Sequence, residues 1–105
     1  IERIWDGGTA PADADEYERL LRKRLLPGAV EGIDGCRGGA LLRRDPGADD
    51  EVEFVTAIRL ESPGAVRAFA GDDRESAHVP PEARALLSRF DERVTHYEVR
   101  AELAE

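Results

Sequence analysis

The chain has 105 residues and carries 15 Lys and Arg against 23 Asp and Glu, a net charge of -8. That length holds one domain spanning 1–105 and excludes two independent cores. With 41% hydrophobic residues, one core of ordinary density can form. The acidic balance repels polyanions, so neither nucleic acid nor an anionic membrane surface is expected as a partner.

The lone cysteine, Cys36, cannot close an intrachain disulfide, and no apolar run approaches the roughly 20 residues needed to span a bilayer. Residues 1–4 alternate apolar and charged side chains and build no leader segment, so a cytoplasmic protein is expected. Lys23 is the single lysine, and Asn and Gln are absent, a bias found in GC-rich, heat-adapted or salt-adapted sources.

Ile1 to Asp6 reads as a first strand closed by Gly7 and Gly8. Asp13 and Glu16 have capping-box spacing, and Tyr17, Leu20, Leu21 and Leu25 recur at helical intervals until Pro27 and Gly28 bend or end the helix. Its outer face pairs Asp15 with Arg19 and Glu18 with Arg22. The glycines at 32, 35, 38 and 39 follow a helix, so they read as a helix exit and a bulged strand start, not as a nucleotide loop. A second strand is expected from Cys36 to Arg44, then a polar turn, then a third strand over Glu51 to Leu60 with Val52, Phe54, Thr56, Ile58 and Leu60 on one core-facing side.

Ser62 before Pro63 caps a second helix with Ala65, Val66 and Phe69 inward, and Gly71 to Glu75 is a charged loop. Pro80 and Pro81 start a short third helix on which Ala83, Leu86, Leu87 and Phe90 share a face. Val94 to Ala101 is the last strand, with His96 and Tyr97 on opposite faces. The series predicts an α+β fold of ferredoxin-like βαββαβ order, a four-stranded antiparallel sheet with helices on one face. The far face would carry Val55, Ala57 and Leu41, so a homodimer joined through that face is expected.

Tyr17 in the first helix, Gly35-Cys36-Arg37-Gly38 before the second strand, Leu60-Glu61-Ser62 after the third, Ala77-His78-Val79, and Thr95-His96-Tyr97-Glu98-Val99 occur in this order along nearly the whole chain. In these features the chain resembles the antibiotic biosynthesis monooxygenase branch of the dimeric α/β-barrel superfamily. The resemblance implies a homodimer with a pocket between sheet and helices in each subunit. It also implies cofactor-independent oxidation of a small aromatic or phenolic substrate, polyketide- or quinol-like, by dioxygen. Other branches of that superfamily cyclise or isomerise substrates without a cofactor, or bind haem, and these are the alternatives.

His78 is the candidate catalytic base, since a neutral imidazole in a pocket-rim loop can take a proton near pH 7. Trp5, Tyr17, Phe54 and Phe69 are candidates for the wall of a substrate site, and His96 joins them if it faces the helices. Arg43 and Arg59 are expected to pair with surface carboxylates. Two histidines eighteen residues apart lack ligand spacing, so no metal is expected, and Cys36 has no basic motif that would activate it.

Overall fold

The computed structural model describes residues 1–31, 34–45, 50–70, 75–77 and 79–103. Strand β1 (Glu2–Thr9) runs three residues past the expected end at Asp6. Gly7 and Gly8 lie within it because their neighbours need the room: a Cβ on Gly7 would collide with the Trp5 indole, and one on Gly8 with the Glu51 side chain. Here glycine marks close approach inside a strand and not a turn.

A 3₁₀ turn at Pro11–Asp13 leads into helix α1 (Ala14–Leu20), a π-helical stretch at Leu21–Leu25, and helix α2 (Leu26–Glu31). Asp13 precedes α1 without a side-chain capping bond. The sequence predicts a bend or an end at Pro27, yet α2 passes through it. Pro27 falls in the first turn of α2, directly after the widened π stretch, where a missing N–H costs least. The Leu26 N–H donates to the Leu21 carbonyl, the i to i−5 bond of a π turn.

Strands β2 (Cys36–Arg44) and β3 (Val52–Leu60) pair antiparallel, and β3 pairs antiparallel with β1. The expected core face of β3 is the observed one, with Val52, Phe54, Ile58 and Leu60 buried. The glycine-rich start of β2 contains a bulge: its register with β3 shifts between Cys36 and Gly38, and Gly38 has φ +132°. That extra residue reverses the parity of everything after it. Leu41, expected on the far face with Val55 and Ala57, pairs with Thr56 and packs into the core, while Leu42 lies opposite Val55 and is 55% exposed.

Helix α3 (Pro63–Ala70) is capped as the sequence predicts, Ser62 Oγ accepting the Ala65 N–H at 3.2 Å. Ala65 and Val66 pack on Ile58 and Leu60. The third helix differs from expectation. Helix α4 spans only Pro81–Arg84, and Leu87–Phe90 forms strand β4 on the edge of β1, pairing with Gly7, Gly8 and Thr9. A non-local edge offering unpaired N–H and C=O groups overrides the helical spacing of Leu86, Leu87 and Phe90.

Strand β5 (Thr95–Tyr97) pairs with Glu2 to Ile4 on the same edge. The result is an α+β fold with an open antiparallel sheet of five strands, not four, in the order β2-β3-β1-β4 with β5 also on β1. One core cluster joins Ala14, Tyr17 and Leu21 to Val52 and Phe54, and a second joins α3 to Ile58 and Leu60. Arg43, on the inner side of β2, ties α1 to the sheet through Asp15 at 2.9 Å and Glu18 at 3.0 Å, with its guanidinium over the Phe54 ring. Among the described residues no helix is long and apolar enough to cross a membrane.

Phe54 is fully buried between Tyr17 and the Arg43 guanidinium. Phe54→Ala is expected to cost about 3–5 kcal/mol of stability. Chemical denaturation checks this, and a loss below about 1 kcal/mol, the scale of a surface substitution, would contradict the burial.

Candidate functional site

A cavity of about 160 Å³ lies between the inner face of the sheet and the helices. Residues at one parity of β1, Arg3 and Trp5, form part of its floor together with Thr56 and Ile58 of β3. Tyr17, Leu21 and Leu26 supply the helical wall. Their spacings of four and five residues follow the passage from α turn to π turn, which brings Leu26 to the wall. Phe69 of α3, Val79 and Ala83 extend the lining.

The sequence candidates divide clearly. Trp5, Tyr17 and Phe69 line the cavity. Phe54 does not; its ring packs edge-on against Tyr17, with centroids 4.9 Å apart and planes at 70°, so it supports the wall from behind. His96 faces the helices, opposite Arg3 in the β1–β5 pairing; it bonds to that arginine and is not itself among the lining residues. His78 lies outside the described residues, although its chain neighbours Ala77 and Val79 both line the cavity. Arg59, as expected, pairs with carboxylates, Glu2 at 2.7 Å and Glu102.

Trp5 is fixed by its indole N–H, which donates to the Asp91 carbonyl at 2.7 Å. This consumes the only polar atom of the ring and leaves an apolar plane for the cavity. Tyr17 is 1% exposed. Among the described residues nothing hydrogen-bonds to its hydroxyl. Thr9 Oγ1 is the side-chain polar atom there that is both sealed from solvent and unbonded, whereas the Tyr17 side chain lines the cavity. Burial pushes the Tyr17 phenol well above its ordinary value, which keeps its proton in place.

Arg3 is absent from the sequence candidates. It is 6% exposed, and burial lowers its affinity for its proton. Its Nη1 donates to His96 Nε2 at 3.1 Å, its Nη2 donates to the Ser76 carbonyl at 3.2 Å, and its guanidinium sits 5.2 Å from the centre of the Phe69 ring. A guanidinium has no acceptor atom, so His96 Nε2 must accept, which makes that imidazole neutral with its proton on Nδ1. One signal in the sequence could have found Arg3: it shares strand parity with Trp5, so a strand that buries the indole also turns the guanidinium inward.

Among the described residues no group of three or more His, Cys, Asp or Glu is placed to hold a metal ion. The arrangement is thus an apolar, aromatic-walled cavity with a cation and a protonated phenol on its surface. No family model matches the chain, and no curated protein matches it.

The Tyr17 shift has a consequence for alkaline stability. Its folded value lies above the value of about 10 in an unfolded chain. Stability is therefore complete below about pH 10 and falls as pH rises from there toward the folded value, because the unfolded state loses the proton first. In a Tyr97→Phe background, where Tyr17 is the remaining tyrosine, phenolate absorbance is expected to appear only together with loss of the folded far-ultraviolet dichroism. Ionisation near pH 10 in a still-folded protein would contradict the burial.

Proposed function

We propose that this chain is one subunit of a homodimer that binds a small aromatic molecule in the cavity between sheet and helices and oxidises it with dioxygen, without metal or flavin. The observation that carries the reading is the cavity itself, lined by Trp5, Tyr17 and Phe69 between sheet and helices, where the resemblance to antibiotic biosynthesis monooxygenases implies a pocket. In such a reaction a base takes the phenolic proton, and the electron-rich anion passes an electron to dioxygen. Recombination of the two radicals forms the C–O bond of a peroxide, which takes the proton back from the base and then loses water as the O–O bond and the C–H bond at the same carbon break, leaving a carbonyl. The protein's part is orientation, exclusion of water and the base. His78 is the proposed base, and Arg3 stabilises negative charge on the substrate oxygen.

The fold supports this reading in its finer form. If β4 and β5 are counted as one interrupted edge strand, the chain follows the ferredoxin-like βαββαβ order. The open face of the sheet then holds Ile4, Ala40, Leu42, Val55 and Ala57 as an apolar band, with Tyr97 beside it at 57% exposure. Charged rows flank the band, Glu2 with Arg59 on one side and Asp6, Glu53, Arg44 and Arg89 on the other. An apolar centre with a charged rim suits a second copy of the same face.

Two measurements test these proposals. Light scattering at micromolar concentration is expected to give about twice the 11.6 kDa chain mass, and Leu42→Arg to give the monomer; a monomeric parent protein would remove the dimer. Incubation with single-ring hydroquinones is expected to consume oxygen, and His78→Ala to slow turnover about 10²–10⁴-fold with an unchanged thermal midpoint. Product formed equally well under argon would instead favour the cyclase or isomerase alternative.

A further inference from the structure

Gly7 lies inside β1, and its φ is outside the left-handed region, so the backbone there does not call for glycine. Space does. A Cβ on Gly7 would fall against the outer edge of the Trp5 six-membered ring, closest to Cη2, with Cζ3 at 2.9 Å and Cζ2 at 3.1 Å. The indole therefore leans along β1 from position 5 over position 7, the next residue on the same face. Trp5 lines the cavity and Gly7 does not, so the ring has the glycine on one side and the cavity on another.

Two constraints decide what a side chain at position 7 does. Strand β1 is paired on both edges there, Gly7 with Phe54 of β3 and with Phe90 of β4, so the strand cannot back away. The indole can move. It is held by the N–H that it donates to the Asp91 carbonyl at 2.7 Å, and the free space beside it is the cavity. Gly8, the next residue, gives the contrast: a Cβ there would meet the side chain of Glu51, which pairs with Arg89 on the open face of the sheet.

With the cavity taken as the ligand site, as proposed above, we infer that Gly7 is a positioning residue for it: by carrying no side chain, Gly7 lets the Trp5 indole lie back over the strand and so keeps the cavity open to an aromatic ring. A methyl group at position 7 tips the indole off its Asp91 bond and into the cavity, where it takes the ligand's place.

The test titrates hydroquinone under argon, read by calorimetry, and records the emission of Trp5, the single tryptophan, in ligand-free protein. Gly7→Ala is expected to weaken hydroquinone at least about tenfold and to shift the Trp5 emission, because the ring moves and loses its carbonyl partner. Gly8→Ala is expected to change neither. In a Trp5→Phe background, whose shorter ring stops short of position 7, Gly7→Ala is expected to alter the affinity by less than about twofold, so that the two positions are coupled. Parent-like affinity and emission in Gly7→Ala would overturn the inference. So would an equal loss in Gly8→Ala or in the Trp5→Phe background, since either places the effect in the strand and not in the indole. If Gly7→Ala alone does not fold, the Trp5→Phe, Gly7→Ala double variant decides: a folded protein that binds as Trp5→Phe does upholds the inference, and an unfolded one overturns it. Hydroquinone that does not bind the parent protein removes the proposed ligand; the emission of Gly7→Ala then decides alone, a shift upholding the role of Gly7 and its absence overturning it.

Discussion

Strand β1 is paired along both edges, with β3 on one side and with β4 and β5 on the other, and this double pairing organises the molecule. A strand held on both sides cannot rotate or slip without breaking two ladders, so the direction of each of its side chains is set. Arg3 and Trp5 are thereby committed to the helical side, and Ile4 and Asp6 to the open side. The cavity and the apolar band are two consequences of one alternation. The interruption between β4 and β5 belongs to the same scheme: Asp91, in the gap, donates its N–H to the Asp6 carbonyl and offers its own carbonyl to the Trp5 indole.

Much of this is legible in the residues. The period of two in β3, the Ser62 cap and the amphipathic run around Tyr17 each reflect local rules that the fold obeys, and Trp5, Tyr17 and Phe69 stand out because large aromatics at inward positions gather around any interior space. What cannot be read depends on single-residue insertions or distant partners. The bulge at Gly38 exchanges Leu41 and Leu42 between faces, and no periodicity within β2 registers it. Leu87 to Phe90 has helical spacing and becomes a strand because the edge of β1 lies there. The π stretch moves the inward position to Leu26, a shift that i, i+4 counting does not anticipate. Arg3 escapes notice because a charged residue near a terminus ordinarily points to water.

Charge is distributed unevenly around the sheet. The inner face confines its cations to places where each holds neighbouring elements together, since Arg43 clasps α1 and Arg3 binds His96 and the Ser76 carbonyl. The outer face arranges charges in opposed pairs, with Arg89 between Asp6 at 2.8 Å and Glu51 at 2.9 Å, and Arg44 against Glu53 at 3.0 Å. A hydrogen bond with Asp6 holds the Glu53 carboxyl above the usual range, so these two acids lean on one another within the arginine frame. Among the described residues no carboxylate lines the cavity.

Strand β2 pairs with β3 along one side only, which leaves it at the end of the sheet. A long exposed border of that kind is a template onto which another extended segment can grow, the first step toward fibrils. The extra residue between Cys36 and Gly38 coils one end of the border away from the straight line that such growth requires, and Arg43 and Arg44 charge the other. The irregularity that sorts Leu41 from Leu42 thus also protects the chain against templated self-assembly.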